Sequence, residues 1–338
     1  MKIPMNQIEI LLIFFVINLF LTINFDKIKI FKIIIDKPDK VRKFHQKPTA
    51  LAGGIILIIN LFLYLIFLNF NKISLIDEII FNNLNEINFF IFSCFLIFSL
   101  GVVDDNFNLG PLKKFFILSI ILGQFIYFNE SIIIETIKFS FLEKTIYLGN
   151  YSHIFTIFCF LVFINSFNMF DGINLQSSIY SLFILVYFFS LNSESLLIAL
   201  LIIFTLFFIC LNHLNKSFLG DSGTLLISFM LSVFFIKLFN EKKIIYSDEI
   251  LIFMLVPGLD MIRLFFERIK NKRNPFSFDR LHLHHLLLRR LNYFKTILTI
   301  MLLIIIPIIL NETNLNKLIT IFITILIYSF TVITAKKY

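Results

Sequence analysis

The stretch FSLGVVDDNFNLGPLKKFF, residues 98–116, contains the pattern that decides the fold. An apolar run ends in two adjacent aspartates, Asp104 and Asp105, and a Gly-Pro break leads into two lysines and a second apolar run. An ionised carboxylate beside a hydrocarbon-soluble segment is costly, and two adjacent carboxylates repel each other. The stretch therefore predicts two membrane-crossing segments joined by a charged turn, in which the aspartates need partners.

The composition of the whole chain is that of a membrane protein. Hydrophobic residues make up 58% of the 338 residues and charged residues only 15%, whereas a soluble chain of this length needs more polar surface. Several apolar runs reach about 20 residues, enough to cross roughly 30 Å of hydrocarbon. We expect one integral membrane domain over residues 1–338. Its first apolar run should be retained as a helix, because no small-residue cleavage site follows it.

The apolar runs predict an all-α polytopic membrane protein with about eleven transmembrane helices. The predicted segments are 5–25, 50–70, 88–103, 112–129, 152–170, 173–191, 195–212, 222–239, 249–268, 294–310 and 315–335. Only a short polar break separates the fifth from the sixth, so the count ranges from nine to eleven. Residues 131–149 alternate apolar with polar and predict a short non-cytoplasmic β-hairpin.

Lysine and arginine residues are concentrated in alternate loops, above all in residues 26–49 and 268–290. The positive-inside rule places these loops and the carboxyl terminus in the cytoplasm. The expected location of the protein is the inner (cytoplasmic) membrane. The net charge of +8 is mostly this asymmetry, so the lipid bilayer is the expected partner and nucleic acid is not. Many of these side chains have a simpler explanation, as topology signals that contact anionic lipid headgroups.

Five polar clusters interrupt the apolar background, and all five fall on the predicted cytoplasmic side. They are DKPDKVRKFHQKPTALAGG (36–54), GVVDDNFNLGPLKK (101–114), NSFNMFDGINLQSS (165–178), FLGDSGT (218–224) and PGLDMIRLFFERIKNKRNPFSFDRLHLHH (257–285). Their aspartates are hard oxygen ligands that suit magnesium, and their arginine, lysine and histidine residues suit phosphates. Acidic and basic groups around one site favour phosphoryl transfer with a divalent metal.

Each cluster also has a structural explanation. The aspartate pair could cap the next helix or bind Lys113, and NMFDG could be a plain turn. Asp221 or Ser222 could cap the eighth helix. Asp260 could form an intrahelical pair with Arg263. The histidines of LHLHH lack the cysteine or carboxylate set of a zinc site, and phosphate contact is the preferred reading.

Taken together, and in this order, the five clusters resemble the polyprenyl-phosphate N-acetylhexosamine-1-phosphate transferases of glycosyltransferase family 4. The resemblance runs from about Asp36 to His285. Five ordered motifs on one face are far more specific than a single GDSG. The HLHH pattern, rather than three consecutive histidines, separates the chain from the more distant phospho-MurNAc-pentapeptide translocases.

The resemblance implies a reaction. A UDP-activated N-acetylhexosamine, GlcNAc first among them, would give its sugar-1-phosphate to a polyprenyl phosphate, usually undecaprenyl phosphate. UMP would be released, and the product would initiate a cell-surface polysaccharide. Mg²⁺ is the implied cofactor, with Mn²⁺ as its substitute. A homodimer is a further state that the resemblance allows.

The same match implies roles for individual residues. Three aspartates and one histidine are expected in catalysis: Asp104, Asp105, Asp171 and His284. Asp221, in LGDSG, is expected to bind the metal. Substrate contacts are expected from one set of polar side chains: His45, Lys47, Lys114, Asn168, Asp260, Arg280, His282 and His285. The second pKa of a phosphate is about 6, so the aspartate pair should position an already ionised lipid phosphate rather than deprotonate it.

The chain departs from the family pattern at three positions. Asn174 stands in place of an aspartate and Leu175 in place of a glycine, which affects the expected nucleotide contacts. Ala50 replaces the second proline of the first cluster.

Two other classes of membrane protein fit the sequence less well. A secondary transporter would carry its binding site near the bilayer midplane, often with an internal repeat, whereas these charges gather at one face. An intramembrane aspartyl protease needs two facing carboxylates, but adjacent residues on a helix point in different directions.

Overall fold

The computed structural model describes residues 7–38, 47–71, 81, 83–275, 277, 279–313 and 315–336. Twelve α-helices follow one another along this part of the chain. They are α1 (Gln7–Ile23), α2 (Gly53–Asn71), α3 (Leu84–Phe107), α4 (Pro111–Phe128), α5 (Ser152–Phe170), α6 (Gln176–Leu191), α7 (Leu196–His213), α8 (Gly220–Asn240), α9 (Ser247–Lys270), α10 (Leu283–Leu288), α11 (Tyr293–Asn311) and α12 (Lys317–Lys336).

The protein is a multi-pass membrane protein. Within the described ranges, seven helices are long and apolar enough to cross a membrane: α3, α4, α5 with the turn before it, α7, α8, α11 and α12. The helices α1, α2 and α6 are also apolar, but their apolar stretches are shorter than those of the seven. Each of the eleven predicted segments coincides with one of the helices. Length and composition support seven crossings, so the count of eleven stays a prediction.

Sheet structure in the described residues is limited to two short antiparallel pairs. Strand β1 (Ile35–Asp36) pairs with β2 (Thr49–Ala50), and β3 (Thr136–Ile137) pairs with β4 (Ile146–Tyr147). The second pair lies inside the segment for which a hairpin is predicted, and the side of the membrane on which it lies stays a prediction. In the first pair, the Ala50 carbonyl also accepts the N–H of Phe218 at 2.9 Å. This bond ties the entrance of α2 to the entrance of α8.

Helix α8 is the centre of the bundle, and 94% of its apolar stretch is buried inside the protein. Two glycines let neighbouring helices approach its first turn. A Cβ atom added at Gly101 of α3 would lie 2.3 Å from the Cα of Ser222, and one added at Gly54 of α2 would lie 2.7 Å from the backbone nitrogen of Gly223. Small residues at helix crossings permit such backbone contact in membranes. The crossing at Gly101 places the last turn of α3 beside the first turn of α8.

Candidate functional site

A cavity of about 1540 Å³ opens at the end of the bundle where α3, α5 and α7 finish and α4, α6 and α8 begin. Ten of the predicted site residues line it: Asp104, Asp105, Lys114, Asn168, Asp171, Asp221, Arg280, His282, His284 and His285. Lys47 and Asp260 are not among the lining residues, and His45 lies outside the described residues. The first basic loop reaches the cavity through Asp36 and Lys37 instead. Stretches far apart in sequence therefore converge on one space.

Asp105 caps helix α8 from outside that helix. One carboxylate oxygen accepts the backbone N–H of Asp221 at 2.8 Å and the other accepts that of Ser222 at 3.0 Å. A helix leaves its first N–H groups without intrahelical partners, and a carboxylate there satisfies them and complements the helix dipole. The prediction that Asp221 or Ser222 caps α8 is therefore wrong, because the N-cap position is Leu219, whose side chain accepts no bond. Gly220 has a φ of +73°, which only glycine adopts without strain.

Lys114 lies between two carboxylates. Its ammonium group forms an ion pair with Asp104 and lies 3.3 Å from Asp221 Oδ1. Asp104 is buried, with 4% of its side chain exposed, and also accepts the N–H of Leu109 at 2.7 Å. Asp221 is 33% exposed and faces the cavity. Asp104 is thus paired with Lys114 and not with Lys113, and the Lys114 charge offsets the repulsion between Asp104 and Asp221.

Asn168, in the last turn of α5, and Asp171, just after that helix, lie where the chain turns from α5 to α6. Asn168 accepts a hydrogen bond of 2.7 Å from the Thr224 hydroxyl of α8, which fixes the end of α5 against the first turns of α8. Asp171 accepts a hydrogen bond from the Ser177 hydroxyl. Burial, reinforced by the charge of Asp221, raises the pKa of Asp171 to about 6 although the bond from Ser177 opposes this shift.

Three histidines face this turn from α10 and the residue before it. The ring centroids of His284 and His285 lie 4.2 Å apart, and the His282 ring stacks on that of His284 at 5.3 Å. A Cβ atom added at Gly172 would lie 2.0 Å from the Cε1 and Nε2 atoms of His284, so the ring occupies the space above this glycine. Burial, with the other two histidines, holds the pKa of His284 well below its usual range.

The same contacts determine the charge of the histidines that line the cavity. Burial, with His282 and Arg280 nearby, also lowers the pKa of His285 to about 4. His284 and His285 are therefore neutral at pH 7, and each can donate one ring N–H. Arg280, which also lines the cavity, carries a permanent positive charge.

Asp260 lies behind the histidines and away from the cavity. Its Oδ1 atom accepts hydrogen bonds from Arg263 at 2.8 Å and from the Tyr328 hydroxyl at 2.8 Å, and its Oδ2 atom lies 3.1 Å from Nδ1 of His282. The predicted intrahelical pair with Arg263 is confirmed. The expected substrate contact is not supported by this position, because both carboxylate oxygens are engaged inside the protein.

Sequence reasoning missed several residues of the cavity wall. Asn212, at the end of α7, accepts the N–H of Leu175 at 2.5 Å, and Tyr293 donates its hydroxyl to the Asn174 carbonyl at 2.6 Å. Leu175, which replaces a family glycine, has a φ of +67°, a conformation that leucine rarely adopts. The available signal for Asn212 was its amide at the predicted cytoplasmic end of an apolar helix.

The acidic side of the cavity has few metal ligands. Among the described residues, no group of three or more His, Cys, Asp or Glu side chains is arranged to hold a metal. Asp104 and Asp221, which both contact Lys114, offer two carboxylates as ligands. Magnesium usually takes one or two carboxylates and completes its shell with water or phosphate oxygens. The donor set therefore fits an ion that arrives with a phosphate-bearing substrate.

Comparison with known proteins agrees with this site. Residues 87–239 match the family model described as glycosyl transferase family 4. The chain is 25% identical to an undecaprenyl-phosphate alpha-N-acetylglucosaminyl 1-phosphate transferase of Salmonella typhi, over 76% of this chain and 69% of the relative. It is 28% identical to the protein of the same description in Thermotoga maritima, over 78% and 76%. The Escherichia coli K12 counterpart is 24% identical over 76% and 69%. The match to the family model covers residues 87–239, and together with these relatives it confirms the resemblance carried by the five clusters.

Proposed function

We propose that this membrane transferase moves an N-acetylhexosamine-1-phosphate, GlcNAc-1-phosphate first, from a UDP-sugar to polyprenyl phosphate and releases UMP. The acceptor is undecaprenyl phosphate, and the product initiates a cell-surface polysaccharide. The observation that carries the proposal is one cavity at the ends of apolar helices, with Asp104 and Asp221 on one side and Arg280 and the histidines on the other. The names of the curated relatives include undecaprenyl phosphate and N-acetylglucosaminyl 1-phosphate, which supports the proposed acceptor and the proposed transferred group.

The lipid acceptor is supported by the apolar part of the cavity wall. Phe115 of α4, Phe158 of α5 and Phe265 of α9 line the cavity and are also exposed on the surface of the bundle. A polyprenyl chain in the bilayer can lie along such side chains while its phosphate reaches the charged groups. A soluble acceptor would gain nothing from this apolar wall.

The reaction needs positioning more than proton transfer. An oxygen of the lipid phosphate attacks the phosphorus that carries the sugar, and the bond from that phosphorus to the UMP oxygen breaks. The attacking phosphate is largely ionised at neutral pH, so no residue has to remove its proton first. Lys114 and Arg280 neutralise phosphate charge, and the neutral His284 offers an N–H to a phosphate oxygen. Asp105 holds the first turn of α8, and with it Asp221, in place.

We include Mg²⁺ in the proposal, with Mn²⁺ as its substitute. Asp221 and Asp104 would hold the ion together with phosphate oxygens, and bound Mg²⁺ would neutralise diphosphate charge as the bond breaks. Lys114 lies within ion-pair reach of both carboxylates, so its single positive charge offsets part of their negative charge.

We assign the cavity to the cytoplasmic face of the inner membrane. Basic residues are concentrated at the cavity end of the bundle, among them Lys113, Lys216 and Arg289. Such residues are retained on the cytoplasmic side. UDP-sugars are made in the cytoplasm, so this placement gives the donor direct access.

The test is transfer by the purified protein. The protein is incubated with undecaprenyl phosphate, Mg²⁺ and each member of a panel of UDP-sugars, and the lipid product is identified by mass while UMP is measured. We expect UMP and a lipid diphospho-sugar in equal amounts, and neither after chelation of the metal. Folded protein that yields neither product with any UDP-sugar contradicts the proposal. Uptake of intact UDP-sugar into proteoliposomes without UMP release would favour a transporter instead.

A further inference from the structure

Residues Leu281, His282 and Leu283, at the start of the segment that carries the three histidines, are all held by α9. Arg263 donates to the Leu281 carbonyl at 2.6 Å, His282 Nδ1 lies 3.1 Å from Asp260 Oδ2, and the N–H of Leu283 lies 3.1 Å from Asp260 Oδ1. Leu283 is the first residue of α10. The pair Asp260–Arg263 on α9 therefore determines where α10 begins and which way His282 points.

A buried carboxylate holds its geometry only if its partners surround it. Asp260 is 7% exposed, and a carboxylate so buried is destabilising unless it is paired and hydrogen-bonded. Tyr328, on the last helix α12, supplies part of this shell. Its hydroxyl donates to Asp260 at 2.8 Å and accepts from Nε of Arg263 at 3.1 Å. One hydroxyl thus links both members of the pair, and it is itself buried, with 3% of the residue exposed.

The orientation of His282 follows from Asp260. A carboxylate only accepts hydrogen bonds, so Nδ1 of His282 carries the proton that is shared with Asp260. The other ring nitrogen, Nε2, is left for the cavity, which His282 lines. The ring also stacks on His284, so a rotation of His282 would disturb the histidine that lies over Gly172.

We propose that Tyr328 is a positioning residue of the transfer reaction, acting through Asp260 and Arg263 on His282, whose place is set by where α10 begins. Tyr328 does not line the cavity, and Asp260 lies 68 residues away from it in the chain. This inference rests on the proposed function for its kinetic test. It assigns to α12 a direct part in building the site, beyond crossing the membrane.

The kinetic test uses Tyr328→Phe, which removes the hydroxyl and keeps the ring. Its matched control is Tyr187→Phe, in α6, whose ring packs 4.6 Å from that of Phe253 and does not line the cavity. We expect Tyr328→Phe to lower kcat about tenfold, with KM for the UDP-sugar within about twofold of wild type, since a hydrogen bond to a charged group is lost. The control should keep wild-type kcat at equal thermal stability.

A double-mutant cycle separates positioning from general weakening of the fold. Because Tyr328 acts through His282, its substitution should lower kcat by less than about twofold when His282→Gln is already present. If the two losses multiply, or if Tyr328→Phe alone keeps kcat within about twofold of wild type, the positioning role is refuted.

A second measurement does not depend on the proposed substrates. Leu287 of α10 is 4% exposed, so a thiol placed there by Leu287→Cys is protected while α10 is docked. We expect Tyr328→Phe to increase maleimide labelling at position 287, read by peptide mass, about tenfold, and Tyr187→Phe to leave it unchanged. If wild-type protein transfers no sugar, the proposed function fails and this labelling still decides the inference. Equal labelling in wild type and Tyr328→Phe would overturn it.

Discussion

Asp105, in the last turn of α3, accepts the backbone N–H of Asp221 at 2.8 Å and so places the cavity-facing carboxylate of α8. The two aspartates are 116 residues apart in sequence. Their roles differ accordingly. Asp105 uses its oxygens on the backbone, whereas the side chain of Asp221 remains open to the cavity.

Asp105→Asn tests the capping role. The amide offers one acceptor oxygen in place of two, so one N–H of the α8 first turn loses its partner. We expect this to lower the free energy of unfolding by about 1–2 kcal/mol, with turnover reduced by at least about tenfold. Thermal unfolding in metal-free detergent measures the first effect. Asn106→Ala, at an exposed neighbouring position, is the control and should change neither quantity.

Asp221→Asn tests the metal and phosphate contact. Asp221 caps nothing, so the fold should survive while UMP release falls by about a hundredfold or more. The measurement is Mg²⁺-dependent UMP release from purified protein of matched thermal stability. Glu241→Gln, at the far end of the same helix, should retain wild-type activity. Near-normal turnover of the Asp221→Asn protein would remove this carboxylate from the mechanism.

Gly172→Ala tests the contact with His284. The new methyl group would overlap the imidazole ring, which lies 2.0 Å from the added Cβ position. We expect the ring to be displaced and kcat to fall about tenfold or more, because a misplaced group loses its contact with the reacting phosphate. Gly258→Ala in α9, where an added Cβ meets nothing within 4 Å, is the matched control. Equal activity of both variants would show that the close contact is dispensable.

The raised pKa of Asp171 should make the free energy of unfolding depend on pH. Because burial raises the pKa of Asp171 to about 6, the folded protein keeps this proton between about pH 4 and 6, where the unfolded chain has released it. The unfolded state then binds fewer protons, so this residue lowers stability as pH rises through that window. Asp171→Asn should therefore be more stable than wild type at pH 8, and the difference should shrink toward zero near pH 4.

The measurement for Asp171 is thermal unfolding of both proteins in metal-free detergent across that pH range. Comparing the two proteins at each pH removes the contribution of other titrating groups. A difference that does not change with pH would contradict the raised pKa.

Cysteine labelling tests the proposed topology. Arg289→Cys is exposed just after α10, and Tyr147→Cys is on β4, where the tyrosine is 78% exposed. We expect a membrane-impermeant maleimide to label position 289 only from the cytoplasmic side and position 147 only from the opposite side. Labelling of position 289 from outside intact cells would reverse the assignment.

Sequence periodicity predicted the helical segments and placed the charged clusters at their ends, because both depend on local composition. It could not show that Asp105 caps α8, since that depends on how two distant helices cross. It also could not choose between Lys113 and Lys114. Neighbouring residues point about 100° apart on a helix, and only the position of Asp104 decides which one reaches it.

The same limit explains two further differences. The pair Asp260–Arg263 follows helical spacing and was predictable, but Tyr328 joins it from a helix that carries no motif. Leu175 adopts a left-handed backbone because the Asn212 side chain accepts its N–H, a tertiary contact that overrides the local preference of leucine. The contact between Asn212 and Leu175 therefore could not be predicted from the sequence pattern.

Gly101 has no reactive atom, yet α3 and α8 approach each other so closely there that an added Cβ would lie 2.3 Å from the Cα of Ser222. Any side chain there would push apart the two helices that carry Asp105 and Asp221. In a saturation-mutagenesis screen scored by survival, substitutions of this glycine should therefore be as harmful as those of the acidic residues. A compound that binds between the two helices at this crossing would inhibit the enzyme without resembling its substrates.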